Sequence, residues 1–333
     1  MTIARRIAMT WLAFGAGAIV VCLGAPLVGS TSVNWRRVFD ASIPFADNLD
    51  AQIFFVARLP RVLAGAMVGS SLAASGVVFQ ALLRNPLATP FTLGVSAGAA
   101  LGAMLAVTLN WPSGIAGFSA VPIASFAGAL GAVAIVYGLA RAKHRGISTN
   151  VLLLAGVTLN SFFSALILFV QFMADYTQTF RTVRWLMGDL DVSSYAPLVA
   201  ALPPMALSFA AFAVLPKSMN LLSISDESAA SRGVDVHRTQ RLAFLSASLA
   251  TGAAVSLGGP VGFIGIVIPH LVRLIVGADH RLVLPASAFG GAAFLVMCDT
   301  ISRTALSPLE VPVGVITAII GGPFFLWLLI RNR

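Results

Sequence analysis

From Val62 to Leu83 the chain carries no charge, with Arg58 and Arg61 just before this stretch and Arg84 just after it. About 20 apolar residues at 1.5 Å rise cross the ~30 Å hydrocarbon core of a bilayer, so the stretch reads as a membrane span bounded by guanidinium groups. Gly65, Ala66, Gly69, Ser70, Ala73, Ala74 and Gly76 strip the span of side-chain bulk. Other helices can then approach its backbone closely, which predicts a central helix and not a lipid-facing one. The run Arg84-Asn85-Pro86-Leu87-Ala88-Thr89-Pro90 ends it, because proline offers no N–H and restricts the residue before it. Arginines at one mouth and a proline-broken turn at the other suit the wall of a pathway.

The other segments repeat the pattern. With 58% hydrophobic and 10% charged residues among 333, the chain has too little polar surface to stay dissolved as a soluble domain. Ten apolar segments can be drawn, at about 7–28, 62–83, 92–109, 115–140, 150–173, 196–215, 242–257, 261–277, 282–301 and 311–330. The expected fold is an all-α polytopic membrane protein of one domain, residues 1–333. The first segment starts like a signal peptide but is too long for one and ends without a small-residue cleavage site, so it is expected to be retained. Interruptions such as Gly258-Gly259-Pro260 imply irregular backbone at membrane depth, tolerated only inside protein or beside water.

Ten spans put both termini on one side. With the N-terminus inside, 14 of the 21 Lys and Arg residues fall on inner segments and 7 on outer ones. The 12 acids divide 4 inside and 8 outside, so the inner side carries +10 and the outer side −1, matching the net +9. Cationic excess marks the cytoplasmic side, which places both termini there. The basic balance is thus explained by topology, without nucleic-acid binding.

Several chemistries are not supported by the residues. There is no G-x-x-x-x-G-K-[ST], so the chain does not bind and hydrolyse ATP in the P-loop manner. His144, His237, His270 and His280 have no metal-ligand spacing, and Cys22 and Cys298 lie in apolar runs, so no metal site and no cofactor is expected. His270 follows Pro269 and is expected to cap a helix. Span centres hold almost no ionisable residue, whereas carriers coupled to protons or sodium usually bury carboxylates. Asp299 is the one buried acid candidate, expected to pair with Arg303 four residues on. A proton-coupled secondary carrier remains the alternative of a different class.

The segment 217–241 is the one long inner loop. Ser225 with Asp226 and Glu227 behind it has the form of an N-cap, and Gly233 the form of a helix stop. Such a helix-turn unit either simply joins two spans or offers a grip to a peripheral motor subunit. Arg58, Arg61 and Arg303 at outer span ends are either interface anchors that snorkel or docking points for an acidic partner.

Taken together, RLPRVLAGAMVGSSLAASGVVFQALLRNPLATPFTLGVSAGAALGA at 58–103, VGFIGIVIPHLVRLIVGADHRLVLP at 261–285, LLLAGVTLN at 152–160 and PVGVITAIIGGPFFLWLL at 312–329 resemble the FecCD family. These are permeases of binding-protein-dependent importers for ferric siderophores, haem and vitamin B12. The resemblance implies the type II ABC importer permease architecture in the bacterial inner membrane, as a homodimer with the path between its subunits. It implies two ATP-binding cassette subunits, which bind the ATP and Mg, and a periplasmic or lipid-anchored substrate-binding protein. It assigns ATPase coupling to Asn220, Leu221, Leu222, Ser225, Glu227, Arg232 and Gly233. Docking of the binding protein would fall to Arg58, Arg61 and Arg303, and the path to Gln80, Asn85, Asn160 and Ser164. The chain itself would be non-catalytic, and its cargo a metal chelate, first a ferric siderophore, then cobalamin or haem.

Overall fold

A computed structural model describes residues 2–111, 120–142, 149–192 and 194–331. The start of the expected span 115–140 and the basic residues Lys143, Arg145 and Arg333 lie outside the described residues. The chain opens with α1 (Ile3–Gly24), followed by two single turns, α2 (Trp35–Val38) and α3 (Leu49–Gln52). A π-helical turn, Ile53–Arg58, leads from α3 straight into α4 (Leu59–Leu82). Next come α5 (Val95–Thr108), α6 (Ala120–Ala142), α7 (Thr149–Met173), α8 (Tyr176–Leu186) and α9 (Ala196–Val214). Two short helices, α10 (Pro216–Leu222) and α11 (Asp226–Ser231), precede α12 (Val236–Gly258), α13 (Ile264–Val276), α14 (His280–Thr304) and α15 (Val313–Arg331).

Among the described residues, seven helices are long and apolar enough to span a bilayer, and Val95–Thr108, Ile264–Val276 and Val313–Trp327 are shorter apolar helices. These ten elements coincide with the ten segments drawn from hydropathy. The stretch 174–195, between the expected spans 150–173 and 196–215, contains α8. Its start is written in the sequence: Asp175 accepts from the Gln178 N–H at 2.8 Å and Gln178 reciprocates at 3.2 Å, a capping box.

The small-residue helix is central, as expected. α4 packs on α12, α13 and α14, and nearly all of it from Val68 to Leu82 is buried. A Cβ on Gly69 would lie 2.2 Å from the Gly291 carbonyl of α14, and one on Gly76 2.1 Å from the Gly265 carbonyl of α13. Both contacts are backbone to backbone, so only glycine permits these crossings. Between them Ser75 Oγ donates to the Ala247 carbonyl of α12 at 3.1 Å. The periphery is different. α1 and α7 bury little of themselves, and Leu154, Leu168, Phe169, Phe172 and Met173 of α7 are exposed.

Candidate docking, coupling and path-lining sites

At one end of α4 the three expected docking arginines converge, but they are buried and engaged within the chain. Arg61 Nε donates to Asp299 Oδ1 at 2.8 Å and its Nη1 to Glu310 Oε2 at 2.7 Å. Arg303 Nε faces Asp299 Oδ2 at 3.1 Å, so the expected i,i+4 pair is present and shared with a second guanidinium. Among the described residues, Arg58 has no carboxylate partner. It donates to the Pro26 carbonyl at 3.0 Å and to the Thr31 carbonyl, pinning the segment after α1. The reason is energetic: a guanidinium near membrane depth must be paired or given carbonyls. The arginines therefore stitch α1, α4 and α14 to the 305–312 turn.

Of the three, Arg61 reaches an opening. Arg61 lines a cavity of about 650 Å³ with Arg184, Asp189, Asp191 and Glu310. Arg184 Nε pairs with Asp189 at 2.9 Å, and Arg181 is exposed.

The opposite end of α4 meets α10 and α11. Arg84, with φ +48, turns back so that its Nε donates to the Leu222 carbonyl at 2.9 Å and its Nη2 pairs with Asp226. Asn220 Nδ2 donates to Asp279 Oδ1 at 2.8 Å, and Asn220 Oδ1 accepts from the His280 N–H at 2.9 Å. Asp279 also accepts from the Arg281 side chain at 2.6 Å and from the Arg281 N–H at 3.0 Å, capping α14. Hydrogen bonds from Arg281 first, and from Asn220 as well, hold the Asp279 carboxyl well below the usual carboxylate range against partial desolvation.

The expected cap and stop of the short helix are where the sequence put them. Ser225 Oγ accepts from the Ser228 N–H at 2.9 Å, and Gly233 has φ +81, a left-handed turn that favours glycine. Leu222 is buried and Leu221 half-buried, while Glu227, Arg232 and Gly233 are exposed. The unit is thus anchored by one face to α4 and α14 and presents the other outward. Neither Arg84–Asp226 nor Asn220–Asp279 was foreseen, since each joins residues far apart in sequence; only the Asp before His280-Arg281 carries a local signal, that of an N-cap.

The four expected path residues separate. Gln80 is not exposed to any path: it is buried between α4 and α13. Pro269 has no N–H for the Gly265 carbonyl four residues back, and Gln80 Nε2 donates to that carbonyl at 2.9 Å. Gln80 Oε1 accepts from Arg273 at 2.5 Å. Asn85 shapes the proline turn, its side chain accepting from the Leu87 N–H at 2.9 Å. Asn160, half-buried, donates to the Phe91 carbonyl at 2.8 Å. Ser164 alone is fully on the open face of α7, beside Thr158 and Ser161. Among the described residues, His270 caps no helix end. It sits inside α13, which continues past Pro269 because Gln80 satisfies the freed carbonyl.

A bundle of ten apolar helices with a carboxylate-locked arginine cluster at one end and a paired short-helix unit at the other is a multi-pass membrane permease of the ABC-transporter kind. The sequence matches the FecCD transport family over residues 17–331, and the chain belongs to that family. It is 37% identical to the hemin transport system permease protein HmuU of Yersinia pestis, over 95% of this chain and 93% of that one. It is 43% identical to the cobalamin import system permease protein BtuC of Halobacterium salinarum, over 98% of this chain and 87% of that one. Among solved structures, an inward-facing metal-chelate type ABC transporter superposes with a TM-score of 0.82 at 30% identity, covering 96% of this chain and 98% of the other.

Proposed function

We propose that this chain is the permease subunit of an ATP-driven importer for a bulky metal chelate, with a ferric siderophore first, and cobalamin or haem next. The observation that carries the reading is the double tie from the short helices: Arg84 joins α11 to the end of α4, and Asn220 joins α10 to the start of α14. A force on the exposed side of α10 and α11 from two ATP-binding cassette subunits would reach both central helices through these ties. ATP and Mg belong to those subunits. The face bearing Arg84, Lys217 and Arg281 is cytoplasmic in this reading, which the excess of Lys and Arg on that side supports, and so are both termini.

Two copies pack with the open face of α7 between them, so that Thr158, Ser161 and Ser164 line the path. The hydroxyls of Thr158 and Ser161 already donate to the Leu154 and Val157 carbonyls, at 2.9 and 3.2 Å, which leaves a smooth wall with few fixed partners for a cargo. On the outer face a binding protein docks by an acidic surface. Of Arg58, Arg61 and Arg303, Arg61 is the one a partner carboxylate could reach, by replacing half-exposed Glu310. The mechanism is alternating access: two packings of one bundle, biased in turn by the docked protein outside and by closure of the ATPases inside.

The test is uptake into proteoliposomes holding this chain with its cognate ATPase subunit and binding protein, offered radiolabelled ferric chelate, cobalamin and haem in parallel. Uptake of one of them that requires both ATP and the binding protein is expected. Transport that survives without the ATPase and collapses with a protonophore would replace this reading by the secondary carrier.

A further inference from the structure

α1 packs on α14 and α9 packs on α12, so the two peripheral helices stand apart and leave a crevice of about 630 Å³. Its walls are Ile7 and Trp11 of α1 and Phe209 and Val214 of α9, and its floor is Leu284 to Phe289 of α14. The walls are apolar and open to the side, with Trp11 48% and Val214 67% exposed. The mouth is not apolar. Lys217 and Arg281 line it at the end where α10 begins. Lys217 is exposed and makes no ion pair among the described residues; the only ion pair of Arg281 there is with Asp279, its own helix cap. Arg6 stands beside the same end, its guanidinium on the Val276 carbonyl at 2.7 Å.

The depth of the crevice identifies its occupant. From Arg281 to Phe289 is eight helical rises, about 12 Å, which is less than half of a ~30 Å hydrocarbon core. A partner helix would need a groove running through both leaflets. A lipid of a single leaflet needs an apolar slot of this depth under a cationic rim. A neutral headgroup would leave Lys217 without a counter-charge, whereas a phosphodiester without a choline or ethanolamine supplies one.

We propose that the α1–α9 crevice is a binding site for one anionic glycerophospholipid, its acyl chains against Trp11, Phe209 and Phe289 and its phosphate at Lys217 and Arg281. The site does not depend on the nature of the cargo. It would make the anchoring of α1, the least buried span, depend on lipid composition.

Trp11 is a reporter already in place. The full chain is reconstituted in vesicles containing chain-brominated phosphatidylglycerol or chain-brominated phosphatidylcholine, and the Trp11 component is isolated by difference against Trp11→Phe. Quenching by the glycerol lipid is expected to reach half its maximum at about fivefold lower mole fraction than quenching by the choline lipid, the scale of one basic residue at a charged surface. Lys217→Glu should remove that preference, and Ala213→Phe, which fills the slot from an exposed position, should lower quenching by both lipids. Equal quenching by the two lipids, or a preference unchanged in Lys217→Glu, would overturn the proposal in favour of ordinary boundary lipid. Absence of quenching by either would show that protein covers the crevice.

Discussion

The two ends of the α4–α14 pair are held by different physics. At the Arg61 end, Asp299 is 1% exposed and two buried guanidiniums share it, with Glu310 closing the cluster. At the Arg84 end, the ties are between half-exposed groups: the Arg84 and Asp226 side chains are 42% and 50% exposed, and Asn220 is neutral. A buried charge whose partner leaves costs several kcal/mol, whereas an exposed pair contributes about 0.2–1 kcal/mol. The first end resists opening in a single state. The second can break and reform a contact at little cost, which is what the proposed coupling to an ATPase subunit would require. A permease that switches needs one kind of joint as pivot and the other as latch.

That contrast is broken most directly at Asp299. Asp299→Asn leaves both Arg61 and Arg303 facing a neutral amide in a buried site and is expected to destabilise the chain by about 3–5 kcal/mol, read as a lowered midpoint of thermal unfolding in detergent. The pair Asp299→Leu with Arg303→Met removes the Arg303 charge along with its partner but leaves Arg61 on Glu310 alone, so it should recover only part of the loss. If the single variant unfolds like the parent protein, the Arg61 end is no stiffer than the other and the distinction fails.

Much of this was legible in the sequence, and the limits are physical. Span count and the centrality of α4 follow from hydropathy and residue size, which are local properties. The Asp299–Arg303 pair follows from helical spacing, and the Ser225 cap and Gly233 stop from the chemistry of helix ends. What escaped was every contact between distant segments. Arg61 stands 238 residues from Asp299, and no spacing rule links them. The docking expectation for Arg58, Arg61 and Arg303 foresaw only the Asp299–Arg303 pair, whereas Asp299, Glu310 and backbone carbonyls engage all three. Gln80 was assigned to the path by the family resemblance. Its partner is a carbonyl that Pro269 leaves without a donor, a need visible only once α4 and α13 are side by side.

The latch end allows a more graded test. Asp279→Asn removes the charge that holds Arg281 and weakens the link to Asn220, with an expected loss of about 1.5–3 kcal/mol, the range for hydrogen bonds to charged groups. The sign with pH is fixed by the direction of the shift. Because the Asp279 pKa is depressed on folding, its contribution is complete above the unfolded value near 3.9 and disappears only as pH falls through the lower folded value. The difference between parent and Asp279→Asn should therefore be flat from about pH 5 to 8 and narrow only in strong acid. A difference that changes across neutral pH would mean that another titrating group, His280 being next in the chain, carries the link.

The smallest effect on stability is expected at Arg84, and there the comparison becomes sharpest. Arg84→Ala removes an exposed ion pair and one bond to the Leu222 carbonyl, about 1 kcal/mol or less by equilibrium unfolding. If the tie transmits force from α11 to α4, the same variant should nevertheless lower transport more than it lowers stability: ATP hydrolysis by the assembled complex continues while uptake falls. Arg84→Lys preserves the charge but not the fork that reaches Leu222 and Asp226 together, so it should restore stability more fully than coupling. Loss of stability and loss of uptake in fixed proportion across Ala and Lys would show that Arg84 only holds the loop in place, and that movement reaches the central helices through Asn220 and α14 alone.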